Sequence, residues 1–204
     1  MKIIIGIVSR KEDDKYYVKE EIINMILKYN SIPIIINSND KEVIKFCDGI
    51  VFPGGDEIEE NDINLIKYLY DKDIPCFGIC LGMQEMGYAF NGHFNKISNY
   101  NHLKKDKYVH EVKINKKSKL YKILDKEIIK VNSRHKDYLI DTNLFITGVS
   151  DVIESIEDTN KRFFIGVQWH PESMLDYDLN SNLLVEAFIK ECGNYKKNKI
   201  KSNY

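Results

Sequence analysis

The sequence lacks both a long apolar run and an excess of charge of one sign. No stretch of the 204 residues approaches the ~18 uninterrupted apolar residues typical of a transmembrane helix. The apolar run at residues 3–8 is too short for a signal-peptide core followed by a cleavage site. Thirty basic residues against thirty-one acidic ones give a formal charge of -1, so no overall field favours nucleic acid or a membrane as partner. We therefore expect a soluble, cytoplasmic protein.

Cysteine and histidine are few and scattered. The four cysteines are Cys47, Cys76, Cys80 and Cys192. A chain of this length without an export signal is not expected to form disulfides. The three residues between Cys76 and Cys80 do not give a CxxC spacing, and the five histidines form no recognisable ligand cluster. We expect no metal, no cofactor and at least one cysteine retained for chemistry. The histidines expected at the surface are His93, His102 and His110.

The first half of the chain alternates between two kinds of apolar pattern. Continuous β-branched runs predict buried strands at residues 2–8, 32–36, 49–52 and 75–79. Apolar residues at helical spacing predict helices at residues 18–30, 41–46, 58–70 and 81–90. Strands that alternate with helices at this interval indicate an α/β fold with a doubly wound, mostly parallel sheet flanked by helices.

The second half has a different character. Short strand-like runs predict antiparallel hairpins added to the sheet edge, at residues 108–114, 128–132, 145–150, 152–157 and 163–168. A last amphipathic helix is expected at residues 183–191. Residues 194–204 are rich in Lys and Asn and lack apolar periodicity, so we expect a flexible basic tail there. No repeat or linker divides the chain, which predicts a single domain over residues 1–193.

One segment carries a candidate nucleophile. An apolar strand runs into Gly78-Ile79-Cys80-Leu81-Gly82, where a helix is predicted to begin, as in a G-x-nucleophile-x-G elbow with cysteine in place of serine. The sharp turn strains the backbone of the nucleophile, and the flanking glycines leave room for the crowded chain. The helix N-terminus also favours a thiolate. Cys80 could instead be a small buried hydrophobe, but a plain core position does not require two glycines.

A candidate base lies far downstream. The predicted strand at residues 163–168 is followed by Trp169-His170-Pro171-Glu172. Doubly wound folds place their sites at the carboxyl ends of strands, so His170 can lie beside Cys80. Glu172 could then accept the second N–H of the imidazole and fix its tautomer. A lone histidine followed by a glutamate would more often be structural, but together with the elbow the pair indicates nucleophilic catalysis.

These segments resemble a known family. Gly78-Ile79-Cys80-Leu81-Gly82-Met83-Gln84 with Gln168-Trp169-His170-Pro171-Glu172 looks like the class I glutamine amidotransferases, whose fold is flavodoxin-like. Residues 84–86 and 89–92 are most similar to the γ-glutamyl hydrolase branch (peptidase C26), which includes γ-glutamyl-γ-aminobutyrate hydrolases. The segment at residues 52–56 resembles the glycine-pair motif of that branch, and Val131-Asn132-Ser133-x-His135 resembles its substrate-side motif. The resemblance covers residues 2–188.

The resemblance implies a role for each matching residue. It implies Cys80 as nucleophile, His170 as general acid and base, and Glu172 as the residue that orients His170. The backbone N–H groups of Gly55 and Leu81 would form the oxyanion hole. The residues implied in substrate binding are Gly54, Gln84, Ser133 and His135. Judged from the residues alone, Gln84 could equally be a solvated helix residue and His135 a surface loop residue.

Three functions remain open at this point. The first is an independent cysteine hydrolase that cleaves the γ-glutamyl amide bond of a small compound and releases glutamate, acting alone or as a homodimer. The short stretch between Gly55 and Cys80 is a departure from that pattern, because the standalone hydrolases usually have a longer insertion there. The second is a glutaminase subunit that supplies ammonia to a synthase partner. The third is a non-catalytic binding module on the same fold.

Overall fold

The computed structural model describes residues 2–96, 102–104 and 106–201. The helices of this part are α1 (Glu20–Lys28), α2 (Lys41–Phe46), α3 (Glu60–Asp71), α4 (Leu81–Ala89), α5 (Lys119–Leu124) and α6 (Leu179–Lys201). The strands are β1 (Ile4–Val8), β2 (Arg10–Glu12), β3 (Lys15–Tyr17), β4 (Ile32–Ile36), β5 (Gly49–Phe52), β6 (Cys76–Ile79), β7 (His93–Lys96), β8 (Leu103–Lys104), β9 (His110–Ile114), β10 (Ile128–Val131), β11 (Ser133–Arg134), β12 (Asp137–Asp141), β13 (Phe145–Val149), β14 (Ile153–Glu157) and β15 (Phe164–Val167).

Nine of these strands form one central sheet, in the order β10-β9-β13-β14-β15-β6-β5-β1-β4. The five strands from β15 to β4 run parallel, and the strands from β10 to β14 are added antiparallel. The predicted fold class is therefore confirmed. The strand at residues 163–168, expected among the antiparallel additions at the edge, is instead β15, which lies inside the sheet and pairs parallel with β6. The other parallel strands come from the first half of the chain, where helices return the chain to the same end of the sheet.

The sheet is covered on both faces, which explains why its parallel strands are continuous apolar runs. One face packs against α1 and α6, with Met25 and Phe188 in its core. The other face packs against α2, α3 and α4, with Ile66 and Met83 in its core. Every residue of β5 and β6 is buried. The centre of the sheet is consequently a rigid base for the residues that follow these strands.

The register of β15 against β6 brings the two candidate segments together. Gly166 lies opposite Gly78, and Val167 lies opposite Ile79, where both strands end. The N–H of Cys80 donates to the carbonyl of Val167 (2.8 Å). Because the strands are parallel, the residues that follow each of them leave the sheet at the same edge.

The C-terminal helix differs from the prediction. Helix α6 begins at Leu179 and ends at Lys201, so the expected bounds of 183–191 are wrong, and residues 194–201 of the predicted tail are helical. Its last part lacks an apolar stripe but is held by ion pairing: Lys196 Nζ lies 2.8 Å from Asp48 Oδ2. Residues 202–204 lie outside the described residues. Within the described part of the chain, none of the helices is long and apolar enough to cross a membrane.

Candidate active site

Cys80 lies at the turn between β6 and α4. Its backbone has φ 54° and ψ -105°, a conformation that residues other than glycine rarely adopt. Its neighbours leave no room for side chains: a Cβ on Gly82 would lie 2.1 Å from the Phe52 carbonyl oxygen, and one on Gly78 would lie 2.5 Å from Met86 Sδ. The side chain is 8% exposed. The two glycines therefore allow the close packing that holds the thiol at the start of the helix.

His170 and Glu172 lie beside this turn. His170 Nδ1 is 2.7 Å from Glu172 Oε1, and a Cβ on Gly54 would lie 3.0 Å from His170 Cε1 and 3.9 Å from Cys80 Sγ. Burial disfavours the charged imidazole, but the carboxylate of Glu172 and then the Cys80 thiol outweigh it and raise the pKa of His170 to about 10. The arrangement can therefore keep an imidazolium between a sulfur and a carboxylate, as nucleophilic acyl transfer requires.

Asn132 fixes the backbone on which His170 is carried. Its Oδ1 accepts from the His170 N–H (2.8 Å), and its Nδ2 donates to the His170 carbonyl (2.9 Å). The amide is buried and also donates to Ser173 Oγ (3.1 Å). The sequence motif contained Asn132 but gave no role for it, because this pairing joins residues that are 38 positions apart.

Gln84 and Gln168 form a second layer around the thiol. Gln168 Nε2 donates to Cys80 Sγ (3.6 Å), and its Oε1 accepts from Gln84 Nε2 (3.1 Å). Gln84 Nε2 also donates to the Asp137 carbonyl (2.9 Å). Gln84 is 5% exposed, so it is not a solvated helix residue. Sequence reasoning missed Gln168, whose signal was its position at the end of a buried strand, two residues before His170.

A cavity of about 60 Å³ opens beside the sulfur. Cys80, Gln84, Gly55 and His135 line it. Four charged side chains also line it, two of each sign: Asp56, Arg134, Lys136 and Asp137. A cavity this small with both charges at its wall suits a short zwitterionic group better than an apolar one.

Ser133 and His135 are buried, and they form hydrogen bonds with other protein groups. Ser133 Oγ is 3.3 Å from His102 Nδ1, and His135 Nε2 is 3.1 Å from the same nitrogen. His135 Nδ1 is 3.0 Å from the Asp137 carbonyl oxygen, and burial lowers the pKa of His135 to about 4. His135 therefore reaches the cavity as a neutral ring and is not a surface loop residue. His102 is 1% exposed, so the prediction that it lies at the surface is wrong.

The buried side chain of Arg10 holds the backbone that immediately precedes Gly54 and Gly55. Arg10 donates to the Pro53 carbonyl through Nε (3.1 Å) and Nη2, to Asp62 Oδ2 (2.6 Å) and to both carboxylate oxygens of Glu85 (3.0 and 2.8 Å). Burial and the nearby Asp62 raise the pKa of Glu85 to about 8 although Arg10 opposes the rise. The pKa of Arg10 is also raised, because Glu85 and Asp62 outweigh burial. This network joins the start of β2, the end of β5, α3 and α4, and no sequence pattern indicated it.

The other three thiols differ from Cys80 in their surroundings. Cys47, Cys76 and Cys192 are at most 1% exposed, and all four cysteines are free of disulfides. Burial raises the pKa of Cys47 to about 11, and it also raises the pKa values of Cys76 and Cys192. These three are packing residues, as expected for cysteines in a core.

The fold and the Cys80 turn define an α/β domain with a cysteine between a central strand and a helix, and comparison with known proteins gives its family. The Peptidase C26 family model matches residues 4–172, and the chain belongs to that family. The family and the relatives described next make it an amide hydrolase of the glutamine amidotransferase type. The resemblance proposed from the sequence is thereby confirmed.

Individual relatives include components of synthases. The glutamine-hydrolysing GMP synthase subunit of Methanococcus maripaludis is 31% identical, over 82% of this chain and 88% of that protein. The CTP synthase of Lawsonia intracellularis is 27% identical over 86% of this chain, which spans only 40% of that synthase. Among solved structures, a candidate GMP synthase subunit from Thermoplasma acidophilum has a TM-score of 0.77 at 20% identity, covering 98% of both chains. At that identity the structural likeness shows the fold alone.

Proposed function

We propose that the chain hydrolyses the γ-glutamyl amide bond of a small compound through a thioester on Cys80. The observation that carries the proposal is the imidazole of His170, held 2.7 Å from Glu172 on one side and beside the Cys80 thiol on the other. Thiol, imidazole and carboxylate then stand in the order that the triad logic requires. The exposed fraction of Cys80, the largest among the four cysteines, is consistent with this role.

In the proposed reaction the Cys80 thiolate attacks the γ-carbonyl carbon. The carbon–nitrogen bond then breaks, and the departing amine takes a proton from the His170 imidazolium. Water next attacks the thioester carbon and gives a proton to His170. The carbon–sulfur bond then breaks, which releases glutamate and restores the thiolate beside the imidazolium. Glu172 takes no proton; it holds the imidazole in the tautomer that faces the sulfur.

The oxyanion of each tetrahedral intermediate needs donors that are already in place. In the proposal these are the backbone N–H groups of Gly55 and Leu81. Leu81 is the first residue of α4, where N–H groups have no partner inside the helix. Gly55 is packed so that a Cβ would lie 2.9 Å from Leu81 Cδ2, which brings the two segments together. Removing one such donor typically costs ~10²–10³ in rate.

The cavity beside the sulfur supports a glutamyl group as the acyl part. An α-amino group and an α-carboxylate carry opposite charges, and Asp56 and Arg134 offer one of each sign at the cavity wall. Gln84, His135 and Gly54 would complete the walls. Ser133 is fully buried against His102, so any contribution from it would pass through that ring.

A glutaminase subunit that supplies ammonia to a synthase is the second candidate. It is favoured by the GMP synthase relative of Methanococcus maripaludis, a separate subunit of which 88% is covered. Under this proposal glutamine is the substrate, ammonia is the leaving group, and a synthase partner raises the rate. The chemistry at Cys80 is the same in both proposals, so they differ in the leaving group and in dependence on a partner.

The test is glutamate release by the purified chain from glutamine and from a panel of γ-glutamyl amines and peptides. Cys80→Ala is the variant that must lose activity, and Cys47→Ala is the matched control, since that thiol is buried elsewhere in the core. Fast release from a γ-glutamyl amine with little from glutamine supports the independent hydrolase. Slow glutamine turnover without a partner supports the synthase component. Release that survives Cys80→Ala, or no release from any substrate, overturns the proposed mechanism.

A further inference from the structure

Three side chains outside the proposed triad converge on one point. His110 is at the start of β9, Glu154 lies in β14, and His102 immediately precedes β8. His110 Nε2 is 2.8 Å from Glu154 Oε1, and His102 Nδ1 is 3.9 Å from the same oxygen. One ligand atom from each residue lies within 4.8 Å of those of the other two. No metal site was expected from the sequence, because the histidines form no recognisable ligand cluster along the chain.

Neighbouring side chains fix the orientation of the His102 ring. Its Nε2 is 2.8 Å from an Asp151 carboxylate oxygen, which can only accept, so this nitrogen donates to Asp151. Its Nδ1 lies 3.1 Å from His135 Nε2 and 3.3 Å from Ser133 Oγ. The ring therefore turns its Nδ1 towards the interior, where Glu154 lies.

Glu154 is the buried carboxylate of the cluster. Glu154 is 0% exposed, its Oε2 has no hydrogen-bond partner, and Ser150 Oγ donates to its Oε1 (2.8 Å). His110 Nε2 lies close to that oxygen but is not aligned as a donor. Among the described residues, no lysine or arginine forms an ion pair with Glu154. A buried carboxylate without a cation is costly, since burial of an uncompensated charge is strongly disfavoured.

We propose that His102, His110 and Glu154 bind a divalent transition-metal ion, with Zn²⁺ as the best match. Two imidazoles and one carboxylate form a ligand set typical of zinc sites that keep a fourth position open. Bond lengths of ~2.0–2.1 Å at a tetrahedral ion place the ligand atoms roughly 3.4 Å apart. The observed separations of 2.8 and 3.9 Å lie on either side of that value.

The surroundings fit this ligand set. Asp151 accepts from the outer nitrogen of His102, the contact that commonly orients a metal-binding imidazole. A cleft of about 500 Å³ lined by His102, His110 and Asp151 gives the ion a path from solvent. His102 also contacts His135, which lines the cavity beside Cys80. The ion would therefore fix the wall of that cavity without touching the sulfur.

The test is calorimetric titration of the chelator-treated full chain with Zn²⁺, in a Cys80→Ala background so that the accessible thiol cannot bind the ion. We expect one ion per chain and visible absorption of the tetrahedral type with Co²⁺. His110→Gln and Glu154→Gln should weaken Zn²⁺ binding by at least ~100-fold, and Asp151→Asn by about 10–100-fold, as for partners that orient a ligand. His93→Gln is the matched control, since this ring is exposed and pairs with Asp141.

The proposal is overturned if Zn²⁺ shows no saturable binding, or if His110→Gln and Glu154→Gln bind it as well as the parent. Glu154→Gln alters a buried position, so circular dichroism must first show that the variant folds. If it does not fold, the half-buried His110 decides the question alone. These readouts do not depend on hydrolysis, so they remain decisive even if no glutamyl substrate is found.

Discussion

Gly82, two residues after Cys80, offers the sharpest test of how the candidate site is built. A Cβ at position 82 would lie 2.1 Å from the carbonyl oxygen of Phe52, whereas ordinary contact begins at 3.4 Å. Phe52 belongs to a fully buried central strand and cannot move aside. In Gly82→Ala the start of α4 must therefore shift by about 1 Å away from β5. Cys80 precedes that helix directly and must move with it.

Both stability and rate follow from that shift. Overpacking of a core costs up to ~3 kcal/mol, and alanine recovers at most ~1 kcal/mol of helix propensity. A net loss of about 2 kcal/mol lowers the Tm of a chain of this size by roughly 4–8 °C. Misplacement of a reacting group by ~1 Å costs about 10²-fold in rate. We expect glutamate release by Gly82→Ala to fall by that factor, in a variant that still unfolds cooperatively.

Gly193→Ala is the matched control, because it is the same substitution in another helix. There the nearest atom to the added Cβ is Ile3 Cδ1 at 3.3 Å, the end of a flexible side chain. This variant should keep full activity and gain ~0.5–1 kcal/mol. Thermal melts and glutamate release are measured for both variants side by side. A Gly82→Ala protein with the parent's Tm and rate would refute the packing argument for the turn.

Two further predictions concern buried charge. Arg10→Met leaves two buried carboxylates without their cation, which should cost about 3–5 kcal/mol of unfolding free energy and lower the Tm by roughly 6–20 °C. The control Lys11→Met changes an exposed position and should leave the Tm nearly unchanged. Equal Tm values for the two variants would contradict this prediction. The raised pKa of His170 contributes stability that is complete below its unfolded value of ~6.5 and is lost as pH rises towards 10. Glu172→Gln removes much of that contribution. In denaturant titrations, the difference in unfolding free energy between this variant and the parent should therefore decrease from pH 6 to pH 10. A difference that stays constant would show that the pair does not act through the proton on His170.

The features that the sequence predicted well depend on patterns local in the chain. The turn at Cys80 is encoded by a strand, two glycines and a helix within a dozen residues. His170 was placed by a general property of parallel sheets, that residues after neighbouring strands share an edge. The bounds of β4, α2 and β5 were predicted to the residue because each is encoded by a local apolar pattern.

The features that the sequence missed depend on contacts between distant segments. Arg10 is charged and precedes a polar turn, so its sequence pattern is that of a solvated residue. Only the fold brings it into contact with the two buried carboxylates that pair with it. Asn132 has no feature that distinguishes it from any loop asparagine until its amide meets the backbone of His170. The prediction ended helix α6 too early because Lys196, and not an apolar stripe, holds its last turns.

The strained backbone of Cys80 lowers the stability of the fold in order to hold the proposed nucleophile. Six non-glycine residues of the described chain have positive φ, and the other five are Asp or Asn, which tolerate that region. Holding a cysteine there costs about 1–3 kcal/mol in every folded molecule. Glycine would relieve that cost and remove the sulfur, so the protein without this thiol would be the more stable one. Selection for stability alone would therefore replace this cysteine, and the chain that keeps it is less stable than its own fold allows.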